Sequence, residues 1–345
     1  MSQPNFHFVH RHFKFNGHSY NQEDLYQLAE VYLESDSDFE QSLGEFLLSW
    51  FNNSPYIEMS TSGSTGIPKR IRIKKQAMVN SAIATGTFFG LKRGDRVLNC
   101  LPVKYVAGKM MVVRSMILGL DMDFVAPDSQ PLKNNKTSYD FVAMVPLQVE
   151  KSLNELQFVK KLIIGGAQID PALEEKLIPL STQTYATYGM TETVSHIALR
   201  KVGEKYYSVL PNITISVDER NCLVIDAPGI LDQSIVTNDL VELVSPTQFI
   251  FLGRADNIIN SGGIKLIPEQ IEEKIAPYIY NRFFITAKPD PKLGEKLVLV
   301  IEGSEHPLDS NVFNNLSPYE KPKEIIFVPK LKETETGKII RKASL

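Results

Sequence analysis

Apolar residues recur at helical spacing near the start of the chain, at Leu25, Leu28, Ala29 and Tyr32 and again at Phe46, Leu47 and Trp50, so residues 20–52 are expected to be helical. From Val97 the pattern changes. VLNCL reads as a strand, and Val106–Leu118 is long and apolar enough for a buried helix. MDFVA, FVAMV, KLIIGG and QTYATYG follow as strands, with helix-like segments at Leu147–Leu156 and Pro171–Ile178. Repeated strand–helix–strand units predict an α/β fold whose mainly parallel sheet is covered by helices on both faces. Between Tyr206 and Phe251 the short runs ITISV, CLVID and LVELV predict an antiparallel β region. After Gly253 come a glycine-rich turn, an amphipathic helix from Pro268, strands RFFITAK and KLVLVIE, a short helix near Val312 and a strand EIIFVP. This order predicts a large N-terminal domain over 1–253, a hinge at 254–256 and a small α+β C-terminal domain over 257–345.

Composition narrows the class without naming a chemistry. A 43% hydrophobic, 22% charged chain of 345 residues is that of a soluble globular protein of about two domains. The net charge of −3, from 37 basic and 40 acidic residues, gives no general attraction to nucleic acid or anionic membrane. No apolar run reaches the roughly 18 residues of a membrane span, and Met1–Lys14 has no signal-peptide pattern. Cys100 and Cys222 sit in apolar runs and read as reduced core residues of a cytoplasmic protein. His7, His10 and His12 lie in FHFV and HFKF and read as solvated residues of an N-terminal hairpin, since no acidic or cysteine partner completes a metal-ligand set.

The first chemical signal is Thr61-Ser62-Gly63-Ser64-Thr65-Gly66-Ile67-Pro68-Lys69. Glycines let a backbone approach phosphate oxygens, and the amides, hydroxyls and Lys69 together favour an anion. The loop is not a Walker A site, which leads from a strand into a helix. Its flanks, YIEMS and RIRIK, both alternate like strands, so a hairpin with a phosphate-binding tip is expected.

With this loop the chain resembles the superfamily of acyl- and aryl-CoA synthetases, luciferases and peptide-synthetase adenylation domains. Further motifs follow in that family's order: Gly165-Gly166-Ala167, Tyr188-Gly189-Met190-Thr191-Glu192-Thr193, Asp239 in a TND triplet, Gly253-Arg254-Ala255-Asp256 with IINSGGIKLIPEQIE after it, and Thr336-Gly337-Lys338-Ile339-Ile340-Arg341. The likeness spans roughly residues 56–345. Departures are Arg70 and Asn238, each in place of a usual glycine, the lack of proline in Lys332–Glu335, and a shortened segment before the phosphate loop. The short build, with Leu101-Pro102-Val103-Lys104-Tyr105-Val106-Ala107-Gly108 followed by Arg114-Ser115, is similar to o-succinylbenzoate–CoA ligases of menaquinone synthesis, although Tyr105 stands where those carry histidine.

The resemblance implies ATP, Mg²⁺ and coenzyme A. Lys338 would offset the repulsion between a carboxylate and the α-phosphate of ATP. Glu192 would hold Mg²⁺ and Thr191 the α-phosphate. Tyr188, Gly189 and Gly165–Ala167 would border adenine, and Asp239 and Arg254 the ribose. Asp256 would be the hinge, and Gly262 and Gly263 would serve the CoA step. Without the motif, TYGMTET reads as a strand end and a helix cap. Arg114 lies on a mostly apolar helix and needs an anion: either an intramolecular salt bridge or a second substrate carboxylate, with Lys109 and Tyr105 beside it. Another aryl- or acyl-CoA synthetase, a phosphotransferase and a silent nucleotide or acyl-CoA binding module are the competing readings. Partners are expected to be small molecules, with neither nucleic acid nor membrane, and a homodimer is compatible.

Overall fold

The computed structural model describes residues 4–60, 70–333 and 339–341. They form two compact units, one of residues 4–60, 70–214 and 226–234, the other of 215–225, 235–333 and 339–341. The division falls ahead of the 254–256 segment that the motifs mark as a hinge.

In the first unit, β1 (Lys14–Phe15) and β2 (His18–Ser19) form a short hairpin, followed by helices α1 (Gln22–Leu33) and α2 (Asp38–Phe51). Asn21 caps α1: its side-chain oxygen accepts from the backbone of Glu23 and Asp24, and Asp24 accepts from the Asn21 amide. Strands β3 (Tyr56–Ser60) and β4 (Arg70–Lys74) pair antiparallel, from Tyr56 opposite Lys74 to Ser60 opposite Arg70, as expected for the flanks of the phosphate loop. Then come α3 (Lys75–Phe89), β5 (Arg96–Asn99), α4 (Val106–Leu118), β6 (Asp121–Phe124), β7 (Tyr139–Met144), α5 (Pro146–Lys151), β8 (Val159–Ile164), α6 (Pro171–Leu177), β9 (Gln183–Gly189), β10 (His196–Lys201) and β11 (Tyr207–Val209). Strands β6, β5, β7, β8 and β9 run parallel in that spatial order, and β10 and β11 add antiparallel at the β9 side. Leu98, Val142, Met144, Leu162 and Ile164 build one buried face with Val149, Leu156 and Leu173 packed on it.

Several expectations are corrected. FHFV is not a strand; the N-terminal pairing is confined to the residues around Asn16, which with Gly17 takes positive φ in a tight turn. The segment Leu147–Leu156 is not one helix. Backbone geometry leaves the helical range at Ser152 (φ −117°, ψ 16°), and a 3₁₀ turn over Leu153–Phe158 carries Leu156 into the core. Helix α3 gave no sequence signal because most of its residues are buried, Ala77, Met78, Ala82, Thr85 and Phe89 among them, and Ile83 and Phe88 share its less buried positions with Gln76, Asn80 and Thr87, so no clear amphipathic stripe exists. A Cβ on its Gly86 would lie 2.7 Å from Leu118 of α4, so glycine lets the two helices approach.

The second unit starts with β12 (Thr214–Val217, from its second residue), β13 (Cys222–Asp226), β14 (Ile235–Ser245) and β15 (Gln248–Arg254), in which β13–β14 and β14–β15 pair antiparallel as expected. Strands β16 (Ile259–Ser261) and β17 (Ile264–Leu266), helix α7 (Pro268–Ile275), β18 (Phe283–Asp290), β19 (Gly294–Glu302) and β20 (Glu324–Val328) make the α+β part. Leu297, Leu299 and Ile301 of β19 face Ile271 and Ile275 of α7, while Val298 and Val300 face Leu331, so both faces of this strand are covered. Residues around Val312 form turns and no helix. The Asp309 carboxylate accepts from the Asn311 amide and Asn311 from Asn314, local bonds that compete with a helix, while Val312 and Leu316 still reach the core.

Candidate active site

The Tyr188–Thr193 motif sits where β9 ends and the chain doubles back into β10. The Thr193 hydroxyl donates to the carbonyls of Met190 and Ser195 and accepts from the Met190 amide. It closes a turn and caps no helix, which corrects the motif-free expectation. Val194 sits in the left-handed region at φ 70°, an unfavourable place for a β-branched residue and typical of a constrained functional turn. Gly189 is obligatory here: a Cβ would lie 2.4 Å from the Ser195 carbonyl oxygen. At the tip, Thr191 is half-buried and Glu192 exposed, and Glu192 takes no hydrogen bond or ion pair among the described residues. One free carboxylate suits Mg²⁺, which keeps several waters and takes its other ligands from phosphates. Tyr188 packs edge-on against Tyr207 with ring centroids 5.8 Å apart.

Gly165, Gly166 and Ala167 follow β8. A Cβ at Gly165 would lie 2.6 Å from the Thr187 hydroxyl, and Gly166 has φ 85°, so this strand end stays bare of side chains. Such a bare edge fits a flat ring.

Helix α4 starts at Tyr105 as N-cap, and Gly108 lies against the Leu101–Pro102 turn, where a Cβ would meet the Pro102 carbonyl at 2.4 Å. The Lys109 ammonium donates to the Val103 and Lys104 carbonyls at 2.5 and 3.0 Å and lies over the Phe46 ring, and burial lowers its pKa to about 8. Its hydrogen-bond partners among the described residues belong to this turn, and its ring contact is to Phe46. Arg114, one of the largest fully buried side chains, has no carboxylate partner among the described residues. It donates from Nη2 to the Ser195 hydroxyl at 2.9 Å and from Nη1 to the Met111 sulfur at 3.8 Å, and Nε has no partner among the described residues. Burial lowers its pKa to about 9. Thr85, Ser195 and His196 form the rest of this cluster, and the sequence reading missed all three.

In the second unit Asp239 and Arg254 pair across β14 and β15 at 3.0 Å, and Arg254 also reaches Asp256 at 2.8 Å. Asn238 donates to both Asp256 carboxylate oxygens at 3.3 Å, so the residue that replaces the usual glycine ties down the expected hinge. Asp256 lies in a 3₁₀ turn, Ala255–Asn257. A Cβ at Gly253 would lie 2.5 Å from both Glu269 and Ile267. Gly262 and Gly263, at φ 61° and 81°, make the two-residue turn between β16 and β17, where both central positions need positive φ. The phosphate-loop residues Thr61, Ser62, Gly63, Ser64, Thr65, Gly66 and Lys69 and the catalytic candidate Lys338 lie outside the described residues. Beside the latter, Glu333 bridges Ile339, and Arg341 forks onto Glu272 of α7 at 2.5 and 2.9 Å while donating to the Ile285 carbonyl.

Similarity to known proteins agrees with this layout. A 2-succinylbenzoate–CoA ligase of Lactococcus lactis is 26% identical over 313 residues, covering 82% of this chain and 69% of its own length. The structure of an acyl-CoA synthetase (AMP-forming)/AMP-acid ligase II-like protein from Dyadobacter fermentans is 37% identical, covers 92% of this chain and 97% of its own, and superposes with a TM-score of 0.62. E. coli MenE with bound OSB-AMS is 25% identical, with a TM-score of 0.66 over 83% of this chain and 67% of its own. The family model described as AMP-binding enzyme matches residues 22–231, well over half of the chain, and with these relatives it establishes that the chain belongs to the AMP-binding enzyme family.

Proposed function

We propose that this protein is an ATP-dependent acid–CoA ligase whose acid carries a second carboxylate, o-succinylbenzoate being the candidate named by its relatives. The observation that carries the dicarboxylate is Arg114, a buried guanidinium with no acid partner among the described residues. In the first step a carboxylate oxygen attacks the α-phosphorus of ATP, and the bond to pyrophosphate breaks. In the second the CoA thiolate attacks the acyl carbon, and the bond to AMP breaks. Lys338 offsets the meeting of two anions in the first step, and Thr191 donates to the α-phosphate. Glu192 would hold Mg²⁺, which neutralises phosphate charge when bound. Asp239 offers acceptors to the ribose hydroxyls, with Arg254 beside it. Among the described residues no helix is long and apolar enough to cross a membrane, and the reading places the enzyme in the cytoplasm.

Pyrophosphate release that requires both ATP and a carboxylic acid tests the reading; release without acid, or none with any acid, contradicts it. Lys338→Ala should lower acyl-adenylate formation by roughly 10²–10³ while CoA transfer from preformed adenylate stays largely intact, and equal loss in both steps would remove Lys338 from its role. The C-terminal domain is taken to turn about Asp256 between the steps. Asp256→Pro, which fixes φ there, should then slow thioester formation more than adenylation, and unchanged rates for both would exclude the rotation.

A further inference from the structure

Arg114 is held by an ordered chain of hydrogen bonds, and the direction of each bond follows from the last. The Thr85 hydroxyl spends its hydrogen on the Ser81 carbonyl one turn back on α3, at 3.0 Å. It can therefore only accept from His196 Nε2, 3.2 Å away. His196 is buried beside a guanidinium, and burial first and Arg114 second hold its pKa well below the usual value, so the ring is neutral with its proton on Nε2. That leaves Nδ1 as an acceptor, and the Ser195 hydroxyl donates to it at 3.4 Å. Ser195 Oγ in turn accepts from Arg114 Nη2 at 2.9 Å. The chain runs Arg114 to Ser195 to His196 to Thr85 to the α3 backbone, with a donor and an acceptor at every link and no carboxylate in it.

A purely structural buried arginine would be expected to end on an acid, because an unpaired buried charge is costly. Here three polar side chains fix the guanidinium through Nη2, Nη1 meets the Met111 sulfur, and Nε has no partner among the described residues. The left-handed Val194 and the bare Gly189 bring Ser195 and His196 to this place directly after the Tyr188–Thr193 motif.

We propose that Ser195, His196 and Thr85 are positioning residues that lock the Arg114 guanidinium in one orientation, so that its Nε–H and the Nη hydrogens not used by Ser195 and Met111 meet the second carboxylate of a dicarboxylic substrate. This rests on the ligase reading above and adds to it the residues that set specificity. Charge-assisted, bidentate recognition depends on the orientation of the planar fork, so loosening the fork weakens it even though the charge stays.

The test is the ratio of kcat/KM for o-succinylbenzoate to that for benzoate, because loss of folded protein cancels in a ratio. Ser195→Ala and His196→Leu should each lower it about tenfold, equivalent to about 1.4 kcal/mol, through KM for the diacid. His196→Gln, which again offers one donor and one acceptor, should recover most of the loss. In an Arg114→Met background the same substitutions should change the ratio by less than twofold, since they act through Arg114. If His196→Leu does not fold, Ser195→Ala, the smaller change, carries the test. A ratio that collapses in Arg114→Met but stays within twofold of the unmodified protein in Ser195→Ala and His196→Leu overturns this inference alone. Absence of acid-dependent pyrophosphate release in the unmodified protein overturns the ligase reading and this inference with it.

Discussion

Each compact unit holds an arginine drawn out of water, and the two are treated in opposite ways. In the second unit Arg341 forks onto the Glu272 carboxylate at 2.5 and 2.9 Å, lies 3.6 Å from Glu269, donates to the Ile285 carbonyl and rests against the Phe284 ring. Its pKa is raised by those carboxylates against the effect of burial. In the first unit Arg114, 2% exposed, has only a hydroxyl and a thioether as partners among the described residues. The acid-closed guanidinium fastens its own chain, three residues after Lys338, whereas the other has no acid among the described residues, which is what the proposed diacid reading requires.

Stability should separate the two most strongly. Arg341→Met leaves Glu272 half of a broken, mostly buried pair, and a loss of about 3–5 kcal/mol is expected in denaturant unfolding. Arg114→Met removes an unpaired buried charge and keeps the volume, so it should stay within about 1 kcal/mol of the unmodified protein or gain. Equal losses in the two variants would mean that Arg114 is structural after all.

Proton linkage gives a smaller effect. The folded pKa of His196 lies below that of the unfolded chain, so below about pH 6.5 the unfolded state takes up a proton that the folded state refuses. Its contribution is therefore present at neutral pH and lost as pH falls toward the folded value. Between pH 7 and 5.5 the unmodified protein should lose about 1 kcal/mol more than His196→Leu. Arg114→Met removes the charge beside the ring, the lesser of the two causes, and should raise the folded pKa of His196 while burial still holds it below the ordinary value. A folded His196 pKa that does not rise in Arg114→Met, read by NMR titration of its ring protons, would show that the guanidinium does not act on His196.

The sequence showed the elements of this comparison unevenly. Helix α4 and its lone Arg114 were legible, because a charge inside MMVVRSMIL breaks an apolar run. Strand β19 was legible from KLVLVIE for the same reason in reverse. Helix α3 was not, since a mostly buried helix with apolar residues among its less buried positions has no clear stripe, and with it went Thr85. Ser195 and His196 were hidden because their importance depends on a reversal at Val194 and Gly189 that no periodicity reports. The fate of Arg114 was equally out of reach: the sequence calls for an anion near a buried arginine, but only packing shows that no side chain in the described structure supplies it. Helix α7 was read from Pro268 onward, while the use of its Glu272 to hold Arg341 is a contact between residues 69 apart.

The most direct measurement is ATP–pyrophosphate exchange driven by o-succinylbenzoate and, separately, by benzoate, in the unmodified protein and in Arg114→Met. Exchange with o-succinylbenzoate in the unmodified protein, and a ten- to hundredfold rise in its KM relative to benzoate in the variant, is the expected result, since a desolvated charge-assisted pair is worth about 1.5–3 kcal/mol. A diacid-to-monoacid selectivity that stays within twofold when Arg114 is replaced, or no exchange with either acid, would contradict it.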